Sequence, residues 1–165
     1  MPKLQYETFW AQEATLMDFL TREEQALVEQ TMKVLHSHHK EYLLLKQLLG
    51  FRIDQMTDEG VTVSIPIHEG ISNGRNMVHG GVTAALADAA MGVLAAKLVG
   101  DEQSAVTSNL YISYIAAGRG KQLTARVKAA HIGKKSMVFD CFIINDLEKL
   151  IAKAEATYFI VPKGY

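Results

Sequence analysis

The segment that decides the fold is NGRNMVHGGVTAALADAAMG, which runs from Asn73 to Gly92. It opens the most apolar stretch of the chain, residues 78–99, whose Ala and Leu residues predict a helix that begins after His79. Asp88 and Lys97 also lie in this stretch, and a membrane span of about 20 residues would tolerate such polar side chains poorly. We therefore expect a helix buried inside a soluble domain, with no membrane partner.

The segments on either side of this helix alternate between apolar and polar residues, which is typical of strands. Residues 51–55 and 61–67 flank the turn-like sequence TDEG and predict a hairpin or a long bent strand. Later strands are predicted over residues 106–114, 123–130, 137–144 and 150–161, and one face of the first is expected to carry Val106, Ser108, Leu110, Ile112 and Tyr114. Short turns without intervening helices imply an antiparallel sheet. The predicted fold class is α+β, with the long helix in the concave face of the sheet.

The first 50 residues have a helical pattern of their own. Thr21 followed by Glu24 forms a capping-box signature, the apolar residues after it recur at helical spacing, and Gly50 is a natural stop. We interpret residues 1–50 as an N-terminal helical extension and residues 51–165 as the main domain.

Composition narrows the class of protein. The 165-residue chain carries 17 Lys and Arg against 18 Asp and Glu, a net charge of −1, which argues against a nucleic-acid binder held by bulk electrostatics. The single cysteine, Cys141, excludes an intramolecular disulfide and is expected to be a core residue in a reducing compartment. Glu7 and Glu13 interrupt the region where a signal peptide would need an apolar core, so a cytoplasmic location is expected.

Three histidines in the N-terminal segment, His36, His38 and His39, have the chemistry of metal ligands. No Cys or carboxylate cluster with a recognised spacing accompanies them. We interpret them as a solvated helix end and predict no metal site.

The two glycines at the start of the long helix are candidates for an oxyanion site. The first amides of a helix have no partners within it and lie at the positive end of its dipole, and glycine allows close backbone approach. Gly80 and Gly81 could therefore hold a developing negative charge. The alternative is that they only shape a tight turn.

Asp88 is the candidate for acid–base or nucleophilic chemistry. It stands alone among Ala, Leu and Met on a helix expected to be buried almost all round, and an unpaired buried carboxylate is expensive. It either pairs with a distant Arg or Lys, or it acts as a general base or nucleophile. At 1.5 Å per residue it lies roughly 12 to 14 Å from the amides at the start of its own helix. If both groups act on one carbonyl, a second subunit must supply one of them.

The spacing of Asn73, His79-Gly80-Gly81 and Asp88 resembles that of the hotdog-fold thioesterases of the PaaI-like (phenylacetic acid degradation) group, over about residues 51–162. The resemblance implies a long helix wrapped by an antiparallel sheet, with active sites at the interface between subunits. It also implies hydrolysis of acyl- or aryl-CoA thioesters, with CoA as part of the substrate and no separate cofactor or metal. By motif position, Asp88 would activate water or attack the carbonyl, and the Gly81 or Gly80 amide would hold the oxyanion. Asn73 would orient the water or carbonyl, and His79 would support the loop.

The resemblance assigns further residues in the later strands. Thr107 corresponds to the hydroxyl residue that faces the thioester, with Asn109 and Tyr114 nearby. From Gln103 to Phe139 the chain has six basic residues and no acidic one. The segment expected to lie along CoA comprises His131, Ile132, Gly133, Lys134, Lys135 and Ser136. Its two lysines could neutralise the phosphates of CoA. The alternative is that these basic residues form a strand face that only contacts solvent.

The leading hypothesis is an acyl-CoA thioesterase that forms a homodimer or homotetramer with shared sites. The alternative from another class is a non-catalytic acyl-CoA-binding regulatory protein that uses residues 1–50 to contact a partner. The retained Asp88 counts against this alternative, because a sensor has no use for a buried base. The depth of the acyl pocket is expected to depend on residues such as Met91, Leu94 and Leu98, packed against the partner subunit.

Overall fold

The computed structural model describes residues 18–36 and 44–164. Two compact units divide the chain, one up to residue 48 and the other from residue 49. His38 and His39 lie outside the described residues.

The described part of the first unit contains two helices, α1 (Arg22–His36) and α2 (Leu44–Leu48). The predicted capping box is confirmed, because the Thr21 N–H donates to Glu24 Oε2 at 2.7 Å and the Glu24 N–H donates to Thr21 Oγ1 at 3.3 Å. The bonds from Thr21 lower the pKa of the Glu24 carboxyl. After α2, Gly50 has a φ of +64°, a conformation that favours glycine at the end of a helix.

The second unit contains a six-stranded antiparallel sheet, built from β1 (Arg52–Met56), β2 (Gly60–Pro66), β3 (Gln103–Tyr114), β4 (Gln122–Ile132), β5 (Ser136–Asn145) and β6 (Leu150–Pro162). The strand order is β1-β2-β4-β5-β6-β3, so β3 returns to pair with β6 at one edge. The predicted hairpin and the later strands are confirmed. The edge position of β3 is central to the site described below.

The long helix α3 (Gly80–Val99) packs on this sheet and contacts strands β2 to β6. Its buried residues recur every three or four positions, which places them on one face: Thr83, Leu86, Ala87, Ala90, Met91, Leu94 and Ala95. By length and composition alone the helix could cross a membrane, but here this apolar face is covered by the sheet. A helix enclosed by an antiparallel sheet is the hotdog arrangement, and the predicted fold is confirmed.

The predicted alternation along β3 is wrong in its first half, because the strand contains a bulge. Thr107 pairs with Tyr158 and Asn109 pairs with the next residue of β6, Thr157, so Ser108 is extra. Val106 consequently pairs with Phe159, which is 51% exposed on the outer face, whereas Thr107 lies opposite the buried Tyr158 on the helix side.

Candidate active site

The start of α3 leaves one backbone donor unused. The Val82 and Thr83 N–H groups donate to the His79 carbonyl at 2.9 and 3.1 Å, and the Gly81 N–H donates to His79 Nδ1 at 3.0 Å. Of the four amides that a helix start leaves without internal partners, only the Gly80 N–H has no acceptor in the described part of the chain. The predicted supporting role of His79 thus takes the form of an N-cap. Between the two predicted oxyanion donors, Gly80 is the one whose amide is free.

Asp88 lies eight residues further along the helix and is half-buried, not enclosed as expected. Thr107 Oγ1 donates to Asp88 Oδ1 at 2.9 Å, which places the hydroxyl residue of β3 against the carboxylate. Within residues 18–36 and 44–164 no Lys or Arg forms an ion pair with Asp88. The structural alternative, an Asp neutralised by a distant cation, finds no support in these residues.

A second hydroxyl reaches Asp88 from a residue that the sequence analysis missed. The Tyr158 OH lies 3.0 Å from Asp88 Oδ1 and 2.8 Å from the Asp88 carbonyl oxygen. Tyr158 is 70 positions from Asp88 in the chain and reaches it only because β6 pairs with β3. The pairing of the two strands had no signal in the sequence.

Tyr114 and Asn109, predicted to lie near the site, are on opposite faces of β3. The Tyr114 OH donates to the Gly80 carbonyl at 2.8 Å, so this side chain is attached to the start of α3. Asn109 pairs with Thr157, one position from the inward-facing Tyr158, and lies on the outer face of the sheet. Asn109 therefore lies on the face of the sheet opposite to Thr107, because the bulge reverses the alternation at this point. Its role as a CoA contact stays a prediction.

Asn73 lies in the loop before α3 and contributes to a cavity beside Gly80. Its backbone N–H donates to the Met77 carbonyl and its Oδ1 accepts from the Arg75 N–H, while its Nδ2 has no acceptor among the residues that the structure describes. The cavity has a volume of about 380 Å³, and side chains of Met77, Ile115 and Ile151 line it. The Gly80 N–H and the Asn73 Nδ2, which have no acceptor among the described residues, therefore border a mainly apolar cavity.

Met91 and Leu94 do not line this cavity. Both are fully buried between α3 and the sheet. That Met91, Leu94 and Leu98 set the pocket depth against the partner subunit stays a prediction. The cavity is bounded by the loop after β3, where the Ile115 and Ala116 N–H groups both donate to the Ile151 carbonyl. The paired hydrogen bonds hold this loop against β6.

The predicted CoA-contacting segment forms the turn between β4 and β5. The Gly133 N–H donates to the Ser136 carbonyl, and a Cβ at Gly133 would lie 3.1 Å from that carbonyl oxygen, a tight contact with the backbone. Lys134 and Lys135 are exposed. Met137, which follows the turn in β5, pairs with Tyr158, the residue that contacts Asp88. Lys134 is three residues before Met137, so it lies roughly 10 Å along the strand direction from this pair, at 3.3 Å per residue. The basic turn is therefore at the Asp88 end of the sheet.

The two halves of the predicted site are apart within one chain. Asp88 follows Gly80 by eight positions in the same helix, which separates the two residues by about 12 Å along the helix axis. The cavity beside Gly80 does not include Asp88. One carbonyl group therefore cannot contact both in the single chain.

The described residues contain no cluster of metal-ligand side chains and no exposed cysteine. In residues 18–36 and 44–164, no group of three His, Cys, Asp or Glu side chains is placed to hold a metal ion. Cys141 is fully buried, and burial raises the pKa of its thiol to about 12. This thiol stays protonated at neutral pH and behaves as a core residue, as expected.

The fold, the capped His-Gly-Gly helix start and the hydroxyl-bound aspartate together define a hotdog protein of the thioesterase class. Residues 75–152 match the model of the thioesterase superfamily. The acyl-coenzyme A thioesterase PaaI of Escherichia coli is 31% identical over 105 residues, which cover 63% of this chain and 73% of that protein. The chain belongs to the thioesterase superfamily, whose hydrolases cleave thioesters, and the predicted resemblance to PaaI is confirmed.

Two further similarities cover more of the chain. A 1,4-dihydroxy-2-naphthoyl-CoA hydrolase of Listeria monocytogenes is 25% identical over 119 residues, which cover 72% of this chain and 97% of the relative. A Bacillus halodurans protein whose crystal structure contains CoA is 30% identical, with a TM-score of 0.77 over 87% of this chain and 97% of that one.

Proposed function

We propose that the protein hydrolyses acyl- or aryl-CoA thioesters to the free acid and CoA. The proposal is carried by the presence of two groups in one chain: Asp88, which is contacted by two hydroxyl groups, and the Gly80 N–H at the start of the helix, which has no acceptor among the described residues. The relatives support the substrate class, because they include enzymes named for CoA thioesters and a structure that contains CoA.

In the proposed reaction, Asp88 accepts a proton from water while the water oxygen bonds to the thioester carbonyl carbon. The carbonyl oxygen becomes an oxyanion and accepts a hydrogen bond from the Gly80 N–H, assisted by the positive end of the helix dipole. The C–S bond then breaks, and the proton on Asp88 passes to the departing CoA sulfur. Direct attack by Asp88, followed by hydrolysis of the resulting anhydride, uses the same two groups, and both routes remain open. Neither route uses a metal or a further cofactor.

A second copy of the chain is proposed to complete the site. Thr107 holds Asp88 and Tyr114 holds Gly80, and both belong to the edge strand β3. In antiparallel pairing of β3 with its copy, a two-fold axis between Leu110 and Tyr111 would set Thr107 opposite the partner subunit's Tyr114. Asp88 of one chain then approaches the free amide of the other.

Exposure along β3 supports this pairing. Val106, Tyr111 and Tyr114 in β3 are 38%, 70% and 55% exposed, and Ile115 directly after it is 55% exposed, although all four are large and apolar or aromatic. A long apolar edge strand invites pairing with another chain. We therefore propose a homodimer with two equivalent sites, or a homotetramer built from such dimers.

The cavity beside Gly80 is the proposed acyl site. Its volume of about 380 Å³ in one chain is within the range of ligand pockets. Asn73 Nδ2 borders it and can donate to the carbonyl or the water. The exposed Lys134 and Lys135 are proposed to bind the CoA phosphates. A reducing compartment, the cytoplasm, suits both the free buried thiol of Cys141 and the proposed substrate.

The experiment that tests the function is the release of free CoA from a panel of short, medium-chain and aryl CoA esters, measured with a thiol reagent. Asp88→Asn, which is nearly isosteric, is expected to lower kcat by roughly 10² to 10⁴, the usual contribution of a general base. Binding of esters without turnover by the unmutated protein would instead favour the non-catalytic acyl-CoA-binding alternative. Near-normal turnover by folded Asp88→Asn would remove Asp88 from the mechanism.

A further inference from the structure

Tyr158 is a buried tyrosine whose only polar atom is directed at Asp88. The side chain is 2% exposed, and its ring packs edge-on against Phe139 with centroids 5.5 Å apart. Gly92, one helical turn after Asp88, faces the hydroxyl, and a Cβ there would already be in contact with it at 3.6 Å. The phenol therefore packs directly against α3 at Gly92.

The hydroxyl contacts two atoms of the same residue. It lies 2.8 Å from the Asp88 carbonyl oxygen and 3.0 Å from Oδ1. Because one atom belongs to the helix backbone and the other to the side chain, these two distances fix how the carboxylate is turned relative to the helix. Burial, aided by the nearby negative charge of Asp88, raises the pKa of the Tyr158 hydroxyl, so it remains a proton donor at neutral pH.

Of the two carboxylate oxygens, only Oδ1 is contacted by the two hydroxyl groups, and the single Tyr158 proton is shared between Oδ1 and the Asp88 carbonyl oxygen. Thr107 Oγ1 and Tyr158 OH both lie within 3.0 Å of Oδ1, whereas Oδ2 receives no hydrogen bond from the described residues. The carboxylate is therefore anchored on one side and open on the other.

We propose that Tyr158 is a positioning residue that anchors Asp88 through Oδ1 and leaves Oδ2 as the atom that reacts with the water or the thioester. This inference rests on the proposed hydrolysis and adds to it which oxygen acts and which residue selects it. Tyr158 itself does not touch the reacting atoms.

The test is a double-mutant cycle of Tyr158→Phe with Asp88→Asn, assayed by CoA release. Phe keeps the ring that packs on Phe139, and thermal unfolding checks the fold of each variant. Tyr158→Phe is expected to lower kcat roughly tenfold to a hundredfold, the effect of one hydrogen bond to a charged group, with KM changed by less than about threefold. In the Asp88→Asn background the same change is expected to have no further effect. Thr157→Val is the matched control, because it removes a half-buried hydroxyl from the outer face of the same strand.

Two kinetic results would overturn the proposal. One is an unchanged kcat in Tyr158→Phe. The other is a loss that multiplies with that of Asp88→Asn, which would show that the hydroxyl acts on the fold and not through the carboxylate.

A crystal structure of the unmutated protein soaked with CoA provides a test that needs no variant to fold. An ordered water or a CoA atom on Oδ2, with Tyr158 still on Oδ1, supports the assignment. A water or CoA atom bonded to Oδ1, or a Tyr158 turned away, refutes it. If the unmutated protein releases CoA from no ester, the proposed function fails, while the crystallographic result still decides the orientation of Asp88.

Discussion

Replacing Gly80 with proline would remove the proposed oxyanion donor and put the ring Cδ in the place of the amide proton. Proline is favoured at the first position of a helix, where its missing N–H has no helical partner. Gly80 is that position in α3, and the preceding His79 has a ψ of 135°, within the range that a residue before proline adopts. No hydrogen bond from the Gly80 N–H to a described residue would be lost. The change therefore removes the donor without the loss of a helical hydrogen bond.

The expected magnitude follows from the count of donors at the helix start. The His79 N–H donates to the Ile71 carbonyl, and the Gly81 and Val82 N–H groups donate to His79, so the Gly80 N–H is the only one of the four left for an oxyanion within the described residues. Loss of one oxyanion-hole donor lowers kcat by about 10² to 10³, equivalent to about 2.7–4 kcal/mol.

Gly80→Ala is the control for Gly80→Pro. It keeps the N–H and adds a Cβ that would lie 3.4 Å from the Tyr114 ring, at the edge of ordinary contact. Both variants are assayed for CoA release on the best substrate, with circular dichroism to confirm the helix. We expect Gly80→Ala to stay within about threefold of the unmutated enzyme, well above the activity expected for Gly80→Pro. Equal kcat values for the two variants would refute the assignment of the donor.

Three further predictions concern assembly and substrate binding. Mixing Asp88→Asn subunits with Gly80→Pro subunits is expected to restore about half the activity per mixed dimer, because one shared site contains both substitutions and the other contains neither. If the subunits are shown to exchange and no activity returns, the sites are not shared. Replacing Lys134 and Lys135 with Glu is expected to raise KM about tenfold at low salt and much less at high salt, with kcat nearly unchanged, and a salt-independent KM would count against phosphate binding. Ala117→Leu, in the cavity wall, is expected to lower kcat/KM for aryl esters about tenfold relative to acetyl-CoA, and an unchanged ratio would place the acyl group elsewhere.

The elements themselves were predictable because each has a local signal. The hairpin around TDEG, the helix after His-Gly-Gly and the Thr21–Glu24 capping box depend on contacts between residues close in sequence, and the structure confirms all three. Asp88 and Gly80 could be selected for a similar reason. An isolated carboxylate in an apolar helix and glycines at its start are visible without knowledge of the fold.

The details that sequence reasoning missed depend on contacts between distant segments. The bulge in β3 is set by pairing with β6, and a single extra residue was enough to move Asn109 to the outer face. Tyr158 became part of the site through the same pairing. The choice between Gly80 and Gly81 depends on the side-chain orientation of His79, which occupies one amide and leaves the other free.

The edge strand β3 explains why the single chain has an incomplete site. Thr107 and Tyr114 attach Asp88 and Gly80 to the same strand, and one side of that strand lacks a neighbour in the sheet. In the proposed dimer, pairing of this free edge would hold the backbone of both residues and would bring the carboxylate of one chain to the amide of the other. The contact that assembles the dimer is then also the contact that aligns the catalytic groups. This accounts for a cavity that borders Gly80 but excludes Asp88, because in such an arrangement the remaining wall comes from the second copy.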